Sequence, residues 1–179
     1  MPLWRVTKNQ NEKVKKAIKD TSNLVMSFGN KPINSFYHGS NGGISASASE
    51  SWEIEDYPYF KVLIDGSNSI QNTFQIPIRH ESVLNQFLDT EEKKLYGSNH
   101  SLFRWKKILS NSEITENLQK NKTIGKKVNI VDLKVVERGA SGRVTKLELI
   151  VNNSRKPIVL VKDDIRRILS FLPSNLFII

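Results

Sequence analysis

The chain has 179 residues, of which 38% are hydrophobic and 25% are charged, a composition typical of one globular domain or two small ones. It contains no run of about 18 apolar residues, which excludes a transmembrane helix, and no cysteine, which excludes disulfides, thiolate metal sites and cysteine nucleophiles. The net charge of +9 favours anionic partners: nucleic acid, acidic lipid or an anionic cell-wall polymer. Residues 1–8 lack an apolar stretch, so we expect no signal peptide in this chain.

The first elements in chain order are a basic helix and a hairpin. Residues 11–20 predict a helix, because apolar residues recur there at i, i+3 and i+4 and lysines occupy most of the other positions. Residues 24–28 and 33–38 predict two strands, joined by the Gly-Asn-Lys-Pro turn at 29–32.

The middle of the chain has weaker patterns. Residues 68–78 alternate loosely between apolar and polar, which favours a strand, whereas residues 81–88 predict a short helix and residues 90–101 a loop. Ser110 and Glu113 have the spacing of a capping box, which predicts the start of the next helix.

The last third carries the clearest strand pattern. Residues 127–137 and 144–151 alternate, and the six residues between them make a turn, so they predict an antiparallel hairpin. Val131, Leu133 and Val135 are expected on one face of the first of these strands.

Three more elements are predicted before the chain ends. They are a strand at 157–161, a short helix capped by Asp163 and a buried strand at 176–179.

Helices and antiparallel strands are segregated along the sequence, so we predict an α+β fold of antiparallel hairpins with short packed helices. Residues 1–179 are expected to form a single domain, with sub-lobes at 1–80 and 81–179 as its natural subdivision.

The segment most typical of a binding site is the glycine-rich loop at 39–43. A predicted strand delivers Tyr37 and His38 to its end, and the loop then offers backbone N–H groups, which suits an oxyanion or a ligand with many hydroxyls. The same residues also fit a wide turn in which His38 binds a buried carbonyl. Metal binding is disfavoured, because the three histidines do not pair at i, i+4 and have no acidic residue at zinc-ligand spacing.

A second candidate is an acidic cluster around Trp52. Its carboxylates could include a general acid for glycoside cleavage, or could be solvated surface. The indole could stack on a sugar ring or anchor a core. The cluster consists of Glu50, Glu53, Glu55 and Asp56.

Five segments, in order along the chain, resemble the stage II sporulation protein D (SpoIID/LytB) domain family. The longest, residues 31–43, resembles the family's Gly-Lys-Pro-Ile segment that ends in His and Gly-Gly. The others are Glu-Ser-Trp at 50–52 with Tyr-Pro-Tyr-Phe at 57–60, Trp105 with the helix from Ser110, Arg-Gly-Ala-Ser-Gly-Arg-Val at 138–144, and residues 166–169 with 174–177.

This resemblance implies action on peptidoglycan. Sporulation members of the family are lytic transglycosylases, which cut glycan strands and close a 1,6-anhydro ring with one glutamate serving as acid and then base. LytB-type members are amidase enhancers, so a cell-wall amidase or another wall-remodelling protein is an implied partner. An extracytoplasmic or cell-envelope location is also implied, and no cofactor.

The family's catalytic glutamate lies in a Pro-Ser-Glu-Met motif that this chain does not contain. The resemblance implies that the chain corresponds to roughly the C-terminal half to two-thirds of the family domain, so we expect that glutamate upstream of it. The catalytic residue therefore stays unknown, the chain alone is expected to be inactive, and whether it is an enzyme stays open.

Nine residues are predicted to bind substrate. Two other functions stay open: a non-catalytic module that binds glycan or a cell-wall partner, and a basic nucleic-acid-binding protein. The dispersed basic residues and the lack of Arg-rich tracts argue against nucleic acid. The nine are Tyr37, His38, Ser40, Asn41, Gly42, Gly43, Arg138, Ser141 and Arg143.

Overall fold

The computed structural model describes residues 12–90 and 92–179 of the chain. Short α-helices and two small antiparallel sheets make up this part, which confirms the predicted α+β class. The chain divides into two compact units, Met1–Tyr37 and His38–Ile179. Among the described residues, no helix is long and apolar enough to cross a lipid bilayer.

The first unit contains a helix and a minimal hairpin. Helix α1 spans Glu12–Asp20, close to the prediction, whose first residue lies outside the described ones. Strands β1 (Ser27–Phe28) and β2 (Lys31–Pro32) pair on either side of Gly29 and Asn30, whose φ angles of 55° and 59° are those of a two-residue type I′ turn. The predicted turn is present, but the strands are shorter than the predicted 24–28 and 33–38.

The second unit contains a three-stranded antiparallel sheet in the order β3-β4-β5. Its strands are β3 (Ile130–Arg138), β4 (Val144–Val151) and β5 (Ile158–Val161). Strand β4 has the predicted bounds and buries alternate residues toward helices α5 (Asn111–Lys120) and α6 (Asp163–Ile168). These elements enclose the first of two hydrophobic cores, which we call the sheet core.

Strand β3 departs from its predicted face. Ile130 pairs with Val151 and Asp132 with Ile150, so Val131 is an extra residue between two ladder positions. A bulge of this kind turns one side chain out of the alternation. Leu133 and Val135 pack against the sheet core as expected, whereas Val131 is 51% exposed.

The second core is built from helices and loops, and we call it the helical core. Helix α4 spans Glu81–Leu88, as predicted. The predicted strand at 68–78 is wrong: residues Asn68–Thr73 form helix α3, with Ile70 buried and Phe74 buried just after its end. Because this core draws on residues on both sides of position 80, the boundary between the expected sub-lobes passes through it.

Two further short elements complete the second unit. Helix α2 (Ala48–Ser51) precedes α3, and a 3₁₀ turn, Glu92–Lys94, follows α4. The capping box of α5 is present, with the Ser110 side chain and Glu113 bonded reciprocally. Helix α6 begins at Asp163, but the capping position belongs to Lys162, which corrects the predicted cap.

The segment at 176–179 is not a strand, contrary to prediction. It has no regular secondary structure, and just before it the Asn175 carbonyl accepts from the Val144 N–H over 2.9 Å. Leu176 is buried in the helical core and Phe177 in the sheet core.

Candidate functional site

The Arg-Gly-Ala-Ser-Gly-Arg turn between β3 and β4 is the point where three of the singled-out segments meet. The Ser141 backbone N–H donates to Glu50 Oε1 over 3.0 Å. Arg143 Nη2 donates to the carbonyl oxygens of Asn41 (2.9 Å) and Ile44 (3.0 Å). The glycine-rich loop, the Glu-Ser-Trp segment and the turn therefore form one cluster within the second unit.

The glycine-rich loop is an internal structural turn. Asn41 Oδ1 accepts from the Gly43 N–H at 2.8 Å, and Asn41 Nδ2 donates to Asp65 at 2.7 Å. Gly43 has a φ of 87°, which favours glycine, and a Cβ there would lie only 2.9 Å from Leu95 Cδ1. Both the backbone conformation and the close packing therefore favour glycine at this position. Residues 41–43 are buried, and their polar groups are directed to the protein's own atoms.

Glu50 is the buried carboxylate of this cluster. Helix α2 carries it, and the residue is only 8% exposed. While Oε1 accepts from Ser141, the buried Oε2 has no hydrogen-bond partner among the described residues. A Cβ on Gly139 would lie 2.5 Å from Glu50 Cδ, so the turn needs glycine to let the carboxyl approach. A buried, unpartnered carboxylate oxygen is unusual and calls for a ligand or water.

Arg143 supplies the buried positive charge beside Glu50. The residue is partly exposed as a whole, but its Nη1 is buried and has no hydrogen-bond partner in the part of the chain that the structure describes. Burial lowers the pKa of Arg143 to about 10, and the negative charge of Glu50 acts in the opposite direction. The guanidinium therefore remains cationic near neutral pH and fixes the loop carbonyls to the turn.

Arg138 fixes the other side of the turn. Its Nη1 donates to the carbonyl oxygens of Gly142 (3.1 Å) and Phe177 (2.7 Å), and Nη2 forms a 3.3 Å ion pair with Glu81. Burial lowers the pKa of Arg138, an effect that Glu81 opposes. This guanidinium is thus committed to protein partners.

A cleft of about 520 Å³ opens beside Glu50. Glu50 and Thr145 both line it, and Thr145 Oγ1, like Glu50 Oε2, is buried without a hydrogen-bond partner among the described residues. Two oxygens that lack partners therefore belong to residues of the same cleft. Its lining consists of Ser49, Glu50, Arg79, Val136, Glu137, Arg138, Gly139, Thr145 and Lys162.

The edge of the cleft is held by hydrogen bonds. Asp56 accepts from the Ser49 hydroxyl (2.7 Å) and backbone N–H (2.8 Å), and these bonds lower the pKa of Asp56. On the opposite chain segment, the Lys162 N–H donates to Thr145 O at 2.9 Å, and the Lys162 carbonyl accepts from Asn175 Nδ2 at 2.8 Å. Both segments therefore have fixed backbones at the cleft.

The aromatic residues after Glu50 form a separate cluster. Tyr57 stacks on Tyr59 with ring centroids 5.3 Å apart, and Phe60 meets Tyr59 edge-on at 4.8 Å. Trp52 caps the C-terminus of α2 and is 38% exposed. The indole thus follows the cleft carboxylate by two residues and has partial access to solvent.

Of the nine predicted substrate-binding residues, Arg138 is the one that lines the cleft. Ser141 is fully buried, and Arg143 lies behind Glu50 in the cluster described above. His38 is exposed and Ser40 is partly exposed, while Tyr37 belongs to the first unit, where it is 76% exposed. Within residues 12–90 and 92–179, no group of three or more histidine or acidic side chains is arranged to hold a metal ion.

Arg79, Thr145 and Lys162 are among the cleft residues that sequence reasoning missed. They come from a loop, a strand and the residue before a helix, and no shared motif connects them. Glu50 could be singled out from the sequence, because it belongs to the acidic cluster and to the Glu-Ser-Trp segment.

The chain belongs to the family described as Domain of unknown function (DUF8618), whose model matches residues 46–179. No curated protein and no solved structure matches it. Every residue that lines the cleft lies inside the matched part, whereas α1 and the hairpin precede it.

Proposed function

We propose that this chain is a peptidoglycan-acting domain of the SpoIID/LytB type and that it holds a glycan strand in the cleft beside Glu50. One observation carries the proposal: three family-like segments meet around Glu50, and two residues that line the cleft beside them, Glu50 and Thr145, each carry a buried oxygen without a hydrogen-bond partner among the described residues. Groups of this kind are satisfied by a ligand that donates and accepts hydrogen bonds, as sugars do.

The size and lining of the cleft also support a glycan. A volume of about 520 Å³ lies within the usual range of ligand sites. Most of its lining side chains are polar or charged, and Val136 supplies apolar surface. A sugar ring offers the same combination, with hydroxyls at its edge and C–H groups on its faces.

The role that we propose for Glu50 is binding. The Ser141 N–H donates to Glu50 Oε1, and Glu50 Oε2 accepts no hydrogen bond from another described residue. Glu50 is therefore suited to accept hydrogen bonds from sugar hydroxyl or amide groups. We assign it no proton transfer.

Co-sedimentation with purified peptidoglycan and with peptide-stripped glycan strands tests this proposal. We expect the wild-type chain to bind both and to release no anhydro-terminated products detectable by mass spectrometry. Thr145→Val and Glu50→Gln should weaken binding, whereas Glu116→Gln on the exposed side of α5 should not.

Failure of the wild-type chain to bind any glycan would refute the proposal. A salt-sensitive gel shift with RNA or DNA, combined with no glycan binding, would favour the nucleic-acid alternative instead. Anhydro products that disappear with Glu50→Gln would show that Glu50 is the general acid.

A further inference from the structure

The positive charge of the chain is concentrated in its first unit. Residues 1–37 carry seven lysine or arginine side chains and two acidic ones, a net charge of +5, whereas residues 38–179 carry 20 and 16, a net charge of +4. More than half of the net charge therefore lies in about one-fifth of the chain. A local excess of this kind attracts an anionic partner to the first unit in particular.

The first unit also exposes apolar side chains at high density. Eight of its 26 described residues are large apolar residues that lie open to solvent, against twelve in the much longer second unit. Among the described residues, none from the first unit belongs to either hydrophobic core. Apolar groups gathered in this way mark an interaction surface. Six of them, each 47–75% exposed, we call the apolar surface of the first unit: Val14, Ile18, Leu24, Val25, Met26 and Phe28.

Helix α1 combines the charge with the apolar surface. Its apolar residues at 14, 17 and 18 recur at i, i+3 and i+4 and so share one face, while four lysines occupy other positions. Lys15 pairs with Glu12 at 2.8 Å, and the helix as a whole keeps a net charge of +2. None of its residues is buried. This pattern is typical of helices that lie in the interface of a bilayer, with the apolar face inward and lysines at the headgroups.

The chemistry of this surface distinguishes between the possible anionic partners. Nucleic acid or a charged polysaccharide would bind the lysines and leave the apolar side chains in water. A second copy of the chain would bring two basic helices together. Leu24, Val25 and Met26 form an apolar run with no polar residue between them, which suits surroundings that are apolar on every side better than a one-sided protein groove. An anionic bilayer offers negative headgroups and hydrocarbon at adjacent depths.

We infer that the first unit binds to the surface of an anionic lipid bilayer. The apolar face of α1 and the run at 24–26 enter the boundary between headgroups and acyl chains, and the lysines of α1 contact the lipid phosphates. This docking is separate from the cleft beside Glu50 and does not depend on the function proposed for it.

Co-sedimentation of the full chain with lipid vesicles tests the inference. We expect binding to vesicles of phosphatidylcholine and phosphatidylglycerol in equal parts, and little binding to phosphatidylcholine alone. Lys16→Gln with Lys19→Gln should weaken binding roughly 30-fold, because each lysine near an anionic surface contributes about fivefold. Lys106→Gln with Lys107→Gln removes the same charge from exposed positions of the second unit and should have a much smaller effect.

The apolar contribution needs its own variants. Val14→Ser with Ile18→Ser should weaken binding at least about tenfold. Ile108→Ser is the control, because this side chain of the second unit is 83% exposed and lies outside the apolar surface. Circular dichroism of each variant checks that the second unit, which α1 does not help to bury, stays folded.

A fluorescent label reports insertion directly. The chain has no cysteine, so Val25→Cys and Ile108→Cys each accept a single environment-sensitive dye. Anionic vesicles should shift the emission of the Val25→Cys label to the blue and leave that of the Ile108→Cys label unchanged. Equal binding to the two kinds of vesicle, no binding to either, or binding that Val14→Ser with Ile18→Ser leaves intact would overturn the inference. A dimer in vesicle-free solution that this double substitution dissociates would also overturn it, since a second copy would then cover the surface.

Discussion

The two compact units differ in what stabilises their elements. In the first unit, α1 has no buried residue, and Leu24, Val25 and Met26 beside the hairpin are all more than 60% exposed. In the second unit, residues of β4 such as Leu147 and Leu149 are completely buried. In the first unit, the local sequence is enough to form a helix and a tight turn. The long strands of this protein occur in the second unit, where a hydrophobic core covers one face of the sheet.

The largest contrast should come from matched truncations in the two units. Leu149→Ala removes a fully buried side chain from the sheet core and should lower the free energy of unfolding by about 2–5 kcal/mol. Ile18→Ala on α1, where the side chain is 58% exposed, should change it by less than about 0.5 kcal/mol. Urea titrations followed by circular dichroism measure both. Similar losses for the two variants would contradict the comparison.

A smaller effect is expected at the turn beside the cleft. In Gly139→Ala, the new methyl group collides with the Glu50 carboxyl, so the variant should lose about 1–3 kcal/mol of stability. Gly125→Ala is the control, because the nearest atom to its Cβ would be 3.9 Å away. In the double variant Gly139→Ala, Glu50→Ala, the two losses should not add. Additive losses would show that the two residues are not in contact.

The capping box of α5 tests a local signal inside the second unit. Ser110→Ala removes the side chain that accepts from the Glu113 N–H and should cost about 1 kcal/mol. Ser170→Ala, at an exposed position without a side-chain hydrogen bond in the described structure, should be neutral. If thermal denaturation shows no difference between the two variants, the cap contributes nothing beyond what the core provides.

The smallest effect should be a pH dependence at the edge of the cleft. Hydrogen bonds from Ser49 lower the pKa of Asp56 below its unfolded value of about 3.9. The resulting stabilisation is present above that value and is lost as the pH falls through the lower folded pKa. Stability measured from pH 6 to pH 2 should therefore decline less in Asp56→Asn than in the wild type. An equal decline in stability with falling pH for the two proteins would contradict this assignment.

The elements that were predicted correctly from the sequence are those whose bounds depend on interactions between residues close together in the chain. The bounds of α4 and β4 were predicted because each has a clear periodicity, and the start of α5 because the Ser110–Glu113 box is a contact between residues three apart. The failures have non-local causes. Helix α3 was mistaken for a strand because it buries Ile70 alone, too little to display a helical period. The bulge at Val131 depends on pairing with β4, which no single-strand pattern reveals.

The candidate site was predictable only in part for the same reason. Glu50 and the turn at 138–143 were visible as motifs, but their contact joins residues 91 positions apart. The loop at 39–43 has the composition of a ligand loop, and its polar atoms are used to fasten the loop to Asp65 and Arg143. Lys162 is distinguished by its backbone angles, which residue type does not encode.

The segment that carries Leu176 and Phe177 has a consequence for how the second unit opens. These two neighbouring residues enter different cores, and the Phe177 carbonyl also accepts from Arg138 at the cleft. Release of this one segment exposes both cores and removes a tether of the cleft at the same time. Amides of β4 and α4 should accordingly exchange with solvent through a common opening, and a ligand seated in the cleft should slow exchange in both.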